Sequence, residues 1–251
     1  MGLTKGFYNL TSAMLTQGRY LDVISNNMTN VATAGFKADR FTMSTFEEVM
    51  WQLVGNKTKN YTELGMQSFI TAPSQLYTDY SQGAFDETGQ PLDFAIEGEG
   101  FFAVETENGR VYTRNGNFSL DDELFLSLPG QGRVLSTSGN PIQLVTDKIE
   151  TDGFGGLYTE SGGFLGRIGV FVFEDNEAAL EKNDQGLFTA NGEGALTTVT
   201  VLQGMTERAN VDLVQQMTEM ISSQRAYQSA AEIIQIYDDV INRVTTEVGR
   251  V

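Results

Sequence analysis

The most constraining feature of this chain is a pair of apolar rows, one at each end, written in alternating steps of three and four residues. The first is Leu3, Phe7, Leu10, Met14, Leu21, Ile24, Met28 and Val31, with Gln17 as its single polar interruption. The second is Leu213, Met220, Tyr227, Ala230, Ile234, Tyr237, Ile241, Val244, Val248 and Val251, broken at Gln216 and Ser223. Such spacing puts every member on one side of a helix, and sustained over about four heptads it predicts a seam between helices. Val214, Met217, Ile221 and Ala231 add a second apolar row to the C-terminal segment. A helix with so broad an apolar face needs more than one neighbour. An amphipathic pair packed on the chain's own core would satisfy the same spacing. The placement of the rows at both extremities, the second running to the final residue, points to bundles in which each copy's ends are completed by its neighbours.

Between the rows the pattern changes twice. Residues 41–80 mix aromatic and polar side chains without a sustained period, which predicts a connector with a short helix near Phe46–Val54 and extended pieces after it. Gly55-Asn56-Lys57 and Ala72-Pro73-Ser74 read as turns. From about Gln82 to Gln203, short apolar or alternating runs end in turn residues: Asp93–Ile96, Phe101–Val104 before Asn108-Gly109, Val111–Arg114 before Asn115-Gly116, Ile168–Phe173 and Leu196–Val201. Asn-Gly between two such runs is a strong hairpin signal. The middle is therefore expected to be an all-β domain, a compact sandwich or barrel.

Charge and composition narrow the function. The chain carries a net charge of −17, and residues 81–160 hold 14 acidic against 4 basic residues, whereas residues 1–40 hold 4 basic against 2 acidic. Binding through phosphates needs clustered Lys and Arg, so neither nucleic acid nor an anionic membrane is an expected partner. Histidine and cysteine are absent. That removes the commonest general base and metal ligand and the thiolate nucleophile, leaving only carboxylate chemistry. The densest acidic cluster, Asp121-Asp122-Glu123, has no calcium-loop spacing and reads as a solvated hairpin tip. The glycine-rich pieces Gly98-Glu99-Gly100 and Gly153–Gly156 lack the ending of a phosphate cradle. No cofactor or metal is expected, and no unbroken apolar run suits a cleaved signal peptide or a membrane span.

One stretch, Ser25-Asn26-Asn27-Met28-Thr29-Asn30-Val31-Ala32-Thr33-Ala34-Gly35-Phe36-Lys37, sets three asparagines before a Gly-Phe-Lys exit. Asparagine side chains at a helix end bond neighbouring backbone, and Gly35 suits a left-handed conformation. This stretch resembles the N-terminal signature of the flagellar basal-body rod and hook protein family, with Met28-Thr29 where the family usually has Leu-Ala and Ala34 where it has proline. Gln82–Phe102 resembles the family's entry into its β domain, and Tyr112–Phe118 its next hairpin. Gln203-Gly204 with Ala209-Asn210-Val211 resembles the lead into its last helix, Ala209 replacing a serine. Met220–Tyr227 resembles the C-terminal helix motif, with Gln228 where glutamate is usual. Over about 123–200 only the strand pattern and scattered glycines agree.

The resemblance implies an α+β chain whose long N- and C-terminal helices form a coiled-coil-like bundle, with an all-β domain central in the sequence, divided as 1–36, 37–81, 82–204 and 205–251. It implies a structural subunit of the basal-body rod, of the proximal or distal kind, self-assembling into a tubular shaft that transmits torque. Its partners would be other copies, the other axial proteins of rod and hook, and the flagellar type III export apparatus. That apparatus would carry it across the inner membrane to the periplasm or cell-wall zone without signal cleavage. The expected self-assembly residues are Leu3, Phe7, Leu10, Met14, Leu21, Ile24, Asn26, Asn27, Asn30, Gly35 and Phe36, with Met220, Gln224, Arg225, Tyr227, Ile234, Tyr237 and Ile241. Arg225 is a bidentate donor and Tyr227 a seam aromatic. The alternatives from other classes are an adhesin or glycan-binding module on a coiled-coil stalk and a carboxylate-only glycosidase acting on peptidoglycan.

Overall fold

The structure is a computed structural model, and it describes residues 2–45, 71–183, 185–192 and 194–248. The expected short helix near Phe46–Val54 and the turn at Gly55-Asn56-Lys57 lie outside the described residues. In chain order the elements begin with α1 (Gly2–Thr29), β1 (Asp39–Thr45), β2 (Thr71–Thr78), β3 (Phe85–Glu87), β4 (Phe94–Glu97), β5 (Phe101–Thr106) and β6 (Gly109–Thr113). Next come β7 (Ser119–Leu120), β8 (Leu126–Leu128), β9 (Gly132–Val134), β10 (Ile149–Thr151), β11 (Gly156–Thr159), β12 (Phe164–Arg167) and β13 (Val170–Val172). A one-turn α2 (Asn176–Ala179) leads into β14 (Leu180–Lys182), β15 (Phe188–Ala190), β16 (Ala195–Leu196), β17 (Thr200–Gln203), β18 (Met205–Glu207) and finally α3 (Leu213–Val248). The chain divides into two compact units: residues 1–29, 39–77 and 212–251, and residues 30–38 and 78–211.

Unit 1 holds α1, α3 and the ribbon β1–β2. At about 1.5 Å per residue, the 28-residue α1 and the 36-residue α3 are roughly 42 and 54 Å long. Asp212 starts α3 by accepting from the backbone N–H of Val214 and Gln215 at 2.9 and 3.1 Å, the arrangement that satisfies a helix's first free donors. The first apolar row continues to Val31, yet α1 stops at Thr29. Just past the helix end, Thr33 N–H donates to the carbonyl of Asn30, and its hydroxyl bonds to the Asn30 side chain. This local turn competes with helix. Ala72-Pro73-Ser74 is not a turn but part of β2, which pairs with β1 in a two-stranded sheet. Both strands there are edges, the place where a proline's missing N–H is tolerated.

Unit 2 is the β unit. Its main sheet has nine antiparallel strands, in the path β14-β15-β6-β5-β9-β8-β7 with β13 joining β5 to β16. The smaller sheets β10-β11-β12, β17-β4 and β18-β3 complete it. Strand β5 is buried on both faces: Phe102 and Val104 belong to the larger apolar cluster with Phe94, Phe118, Leu126 and Val134, whereas Phe101 and Ala103 belong to a second cluster with Tyr112, Phe171 and Phe188.

The Asn-Gly steps at 108–109 and 115–116 behave differently. Asn108-Gly109 does close a hairpin, but the register pairs Thr106 with Gly109, so Glu107 and Asn108 form the loop and only Gly109 has positive φ. Asn115-Gly116 is no hairpin tip. Gly116 accepts a hydrogen bond from Phe94 N–H at 2.9 Å, and a Cβ there would sit 1.7 Å from the Phe94 carbonyl oxygen. The glycine serves close backbone approach rather than a turn.

Candidate assembly surface

In unit 1, α1 and α3 run antiparallel: Asn27 meets Gln216, Tyr20 meets Glu219 and Gln17 meets Ser223. Ile24 is 1% exposed, and Ala230 is buried as well. Phe7, Leu10, Met14, Leu21, Met220, Tyr227, Ile234 and Tyr237 are half-buried. Ile241, Asn26, Gln224 and Arg225 are exposed. Leu3 lies on α1, but its side chain is outside the described residues. Tyr227 passes over Gly18, where a Cβ would lie 3.8 Å from the ring.

The pairing leaves apolar surface uncovered on α3. Val214 is 74% exposed, Ile221 54% and Met217 50%, and further along Ile233, Ile236, Val240 and Ile241 are exposed too. Single exposed apolar residues are ordinary, but a row repeating along one long helix is the kind of surface that marks an interaction site.

Tyr20 is the ionisable group most changed by this packing. Its hydroxyl donates to Glu219 Oε2 at 3.0 Å, and its ring stacks on Phe41 with centroids 5.8 Å apart. Burial, then the hydrogen bond to Glu219 and its negative charge, push the phenol from 10.0 up to about 12. A folded-state value above the unfolded one means the neutral phenol stabilises the fold below pH 10.0, and that contribution is lost as pH rises to about 12. Subtracting the alkaline absorbance titration of Tyr20→Phe from that of the parent should therefore isolate one tyrosine ionising near 12. A difference curve centred near 10 would show that the contact is not held.

The asparagine-rich stretch is divided between the units. Asn27, 2% exposed, belongs to unit 1, where its side-chain amide pairs with the backbone of Asp39: Nδ2 donates to the carbonyl at 2.8 Å and Oδ1 accepts from the N–H at 3.0 Å. Asn30, Gly35, Phe36 and Lys37 belong to unit 2. Gly35 has φ +66°, and a Cβ there would fall 2.2 Å from the Arg114 carbonyl carbon. Phe36 is 3% exposed beneath Lys182, whose ammonium lies 3.9 Å from the ring centre.

Lys37 is 1% exposed. Its ammonium donates to Glu207 at 2.6 Å and to the carbonyl of Ser81 at 2.8 Å. Gly83 N–H donates to the same oxygen of Glu207 at 2.8 Å, and the other oxygen accepts from Arg114 at 3.1 Å. Arg114 also donates to the carbonyls of Gly98 and Ile96. Burial pulls the Lys37 ammonium and the Arg114 guanidinium below their ordinary values, and Glu207 opposes the shift in both. Asn210 works alongside: Oδ1 accepts from Ala38 N–H at 2.7 Å while Nδ2 donates to the carbonyls of Asp79 and Ser81 at 2.8 and 3.1 Å. Sequence reasoning placed Lys37, Arg114 and Asn210 in recognisable motifs but did not pair them, and it passed over Glu207. A single carboxylate three residues before the Asn210 motif was the available signal.

Among the described residues, the acidic cluster offers no comparable centre. Asp121 and Glu123 both engage Arg133, at 2.7 and 2.8 Å. Hydrogen bonds from the N–H of Phe125, the Arg133 guanidinium and the N–H of Glu123 hold the Asp121 carboxyl below its usual range despite some desolvation. The cluster is a clamped turn between β7 and β8. A groove of about 260 Å³ beside Gly35 and Phe36 is lined by Thr, Asn, Gln, Pro and apolar residues and has no titratable side chain. Among the described residues, no group of three or more acidic side chains is placed to hold a metal ion, and no helix is long and apolar enough to cross a membrane.

Three family models match the chain in order: "Flagella basal body rod protein" over residues 7–37, "Flagellar hook protein FlgE/F/G D1 domain" over 95–153 and "Flagellar basal body rod FlgEFG protein C-terminal" over 202–247. The chain is 31% identical to the flagellar basal-body rod protein FlgG of Bacillus subtilis, with 96% of this chain and 98% of that protein covered. It is 32% identical to the rod protein FlgF of Mesorhizobium japonicum, with 90% of each covered. It is 28% identical to the hook-basal body complex protein FlhO of Bacillus subtilis, with 99% and 100% covered. On this collinear, nearly full-length likeness, the chain belongs to the flagellar basal-body rod protein family.

Proposed function

We propose that this chain is a structural, non-catalytic subunit of the flagellar basal-body rod, and that copies join through α1 and α3 into a tubular shaft. The observation that carries the joining step is the exposed row Val214, Met217 and Ile221 on a helix whose opposite side already engages α1. A helix apolar on two sides is completed by two neighbours, and a repeating subunit supplies the second from the next copy. Gln224 and Arg225, exposed on the same helix, belong to that contact, as do the half-buried seam residues where their outer edges remain open, and Ile241 extends the seam row as a second open apolar surface. Close-packed interiors transmit strain, so torque passes through the helix contacts.

Membership of the family supports the remaining steps of this reading. The chain meets other axial proteins of rod and hook at the ends of its own segment, and it reaches the basal body through the flagellar export apparatus. The adhesin and glycosidase readings lose their support, because the relatives covering nearly the whole chain are named as rod proteins.

Ile221→Asp tests the joining surface. Ile221 is 54% exposed, so the folded subunit should change in stability by no more than about 0.5 kcal/mol. Cells carrying it should nevertheless fail to swim and lack complete rods by electron microscopy. Normal swimming with intact rods would exclude this face as the joining surface.

A further inference from the structure

The apolar rows of α1 and α3 contain three polar interruptions, Gln17, Gln216 and Ser223, and the fold does not leave them scattered. Ser223, 4% exposed, donates to Gln17 Oε1 at 2.7 Å. Gln216 accepts from Asn27 at 3.3 Å, and Asn27 is 2% exposed. Between them Tyr20 donates to Glu219, which also accepts from Gln215 and Gln216 on its own helix. Each interruption in one seam is thus answered by a polar residue on the opposite helix.

We infer that these matched contacts are a register code, in which Gln17 with Ser223 and Asn27 with Gln216 hold α1 against α3 of the same chain in a single alignment. Apolar seams alone cannot do this, because a slide of one heptad, about 10 Å, returns apolar residues to apolar residues. The polar residues reduce that degeneracy. In the antiparallel pair, a slide in one direction brings Asn27 to Ser223 but sets Gln17 against Ala230. A slide in the other brings Gln17 to Gln216 but sets Ser223 against Leu10 and carries Asn27 past the start of α3. Only the native alignment makes both matches, and each slipped one leaves a hydroxyl or amide facing an apolar residue, which costs more than a matched pair gains. The same argument disfavours pairing α1 with α3 of another copy in a shifted alignment, which matters in a chain whose helices are apolar on more than one side.

The absence of cysteine allows spin labels to be placed at will. Asp22→Cys with Gln228→Cys puts labels on exposed positions of α1 and α3 in the full chain. Pulsed dipolar spectroscopy should give one distance in this parent. Adding Gln17→Met, Gln216→Met and Ser223→Ala, which removes all three polar interruptions while nearly preserving volume, should keep the helical circular dichroism and produce a second distance displaced by the one-heptad slide. Mixtures of singly labelled chains in that background should show new intermolecular distances. Exchanging the two residues, Gln17→Ser with Ser223→Gln, should restore one distance. A single unchanged distance in the Met/Ala background would overturn the inference. So would loss of helix in that background, since the pair would then be needed for stability and not for alignment.

Discussion

Glu207→Gln should destabilise the β unit by about 3–5 kcal/mol, measured by urea unfolding followed in the far ultraviolet. The carboxylate is 1% exposed and pairs with both Lys37 and Arg114. Glutamine keeps the shape and removes the charge, leaving an ammonium and a guanidinium buried side by side with only the smaller influence of Asp79 on the one and of Glu99 on the other. Breaking a buried ion pair from one side costs this much, because the remaining charge keeps its desolvation penalty and loses its partner. Arg114 is already imperfectly satisfied, its Nε being buried without an acceptor. Lys37→Met combined with Glu207→Gln should recover part of the loss, since one of the stranded cations is then gone. A loss below about 1 kcal/mol for Glu207→Gln would mean that water reaches the triad and screens it as at a surface pair.

Phe102→Ala should be equally costly, at about 3–5 kcal/mol, the range for deleting a buried aromatic ring and leaving a cavity. Phe102 is fully buried, and its ring meets Phe118 edge-on with centroids 5.2 Å apart, while Phe118 reaches Phe94 at 6.2 Å. Because β5 separates two apolar clusters, relaxation into the cavity would have to move a strand that is also held on its other face by Phe101. Phe154→Ala provides the contrast. That ring is 55% exposed, and its removal should change stability by no more than about 0.5 kcal/mol. Equal effects at the two positions would contradict the layering around β5.

Much of the fold is legible in the sequence because period is a local property. The steps of three and four name α1 and α3, and the short runs between turn residues name the strands of the β unit, including the hairpin at Asn108-Gly109. Chain ends of elements are less legible, since they turn on short-range competition. Val31 keeps the helical period, yet the Asn30–Thr33 turn takes the backbone away before it. Pro73 carries a turn signature, yet an edge strand accommodates it.

The apolar rows with which the reading began show where the division falls. Spacing by itself determined that two long terminal segments are helices that require partners, because the angle between successive side chains on a helix is fixed by backbone geometry. Spacing also marked Gln17, Gln216 and Ser223 as exceptions. Only the tertiary structure decided that Gln17 faces Ser223 and Gln216 faces Asn27, that Asn27 pairs with the backbone of Asp39, and that Lys37 and Glu207, 170 residues apart, share one buried contact. A polar residue in an apolar row, or a lone charge in a motif, carries no record of its partner. The partner is selected by desolvation, which acts only once distant parts of the chain have closed around both groups.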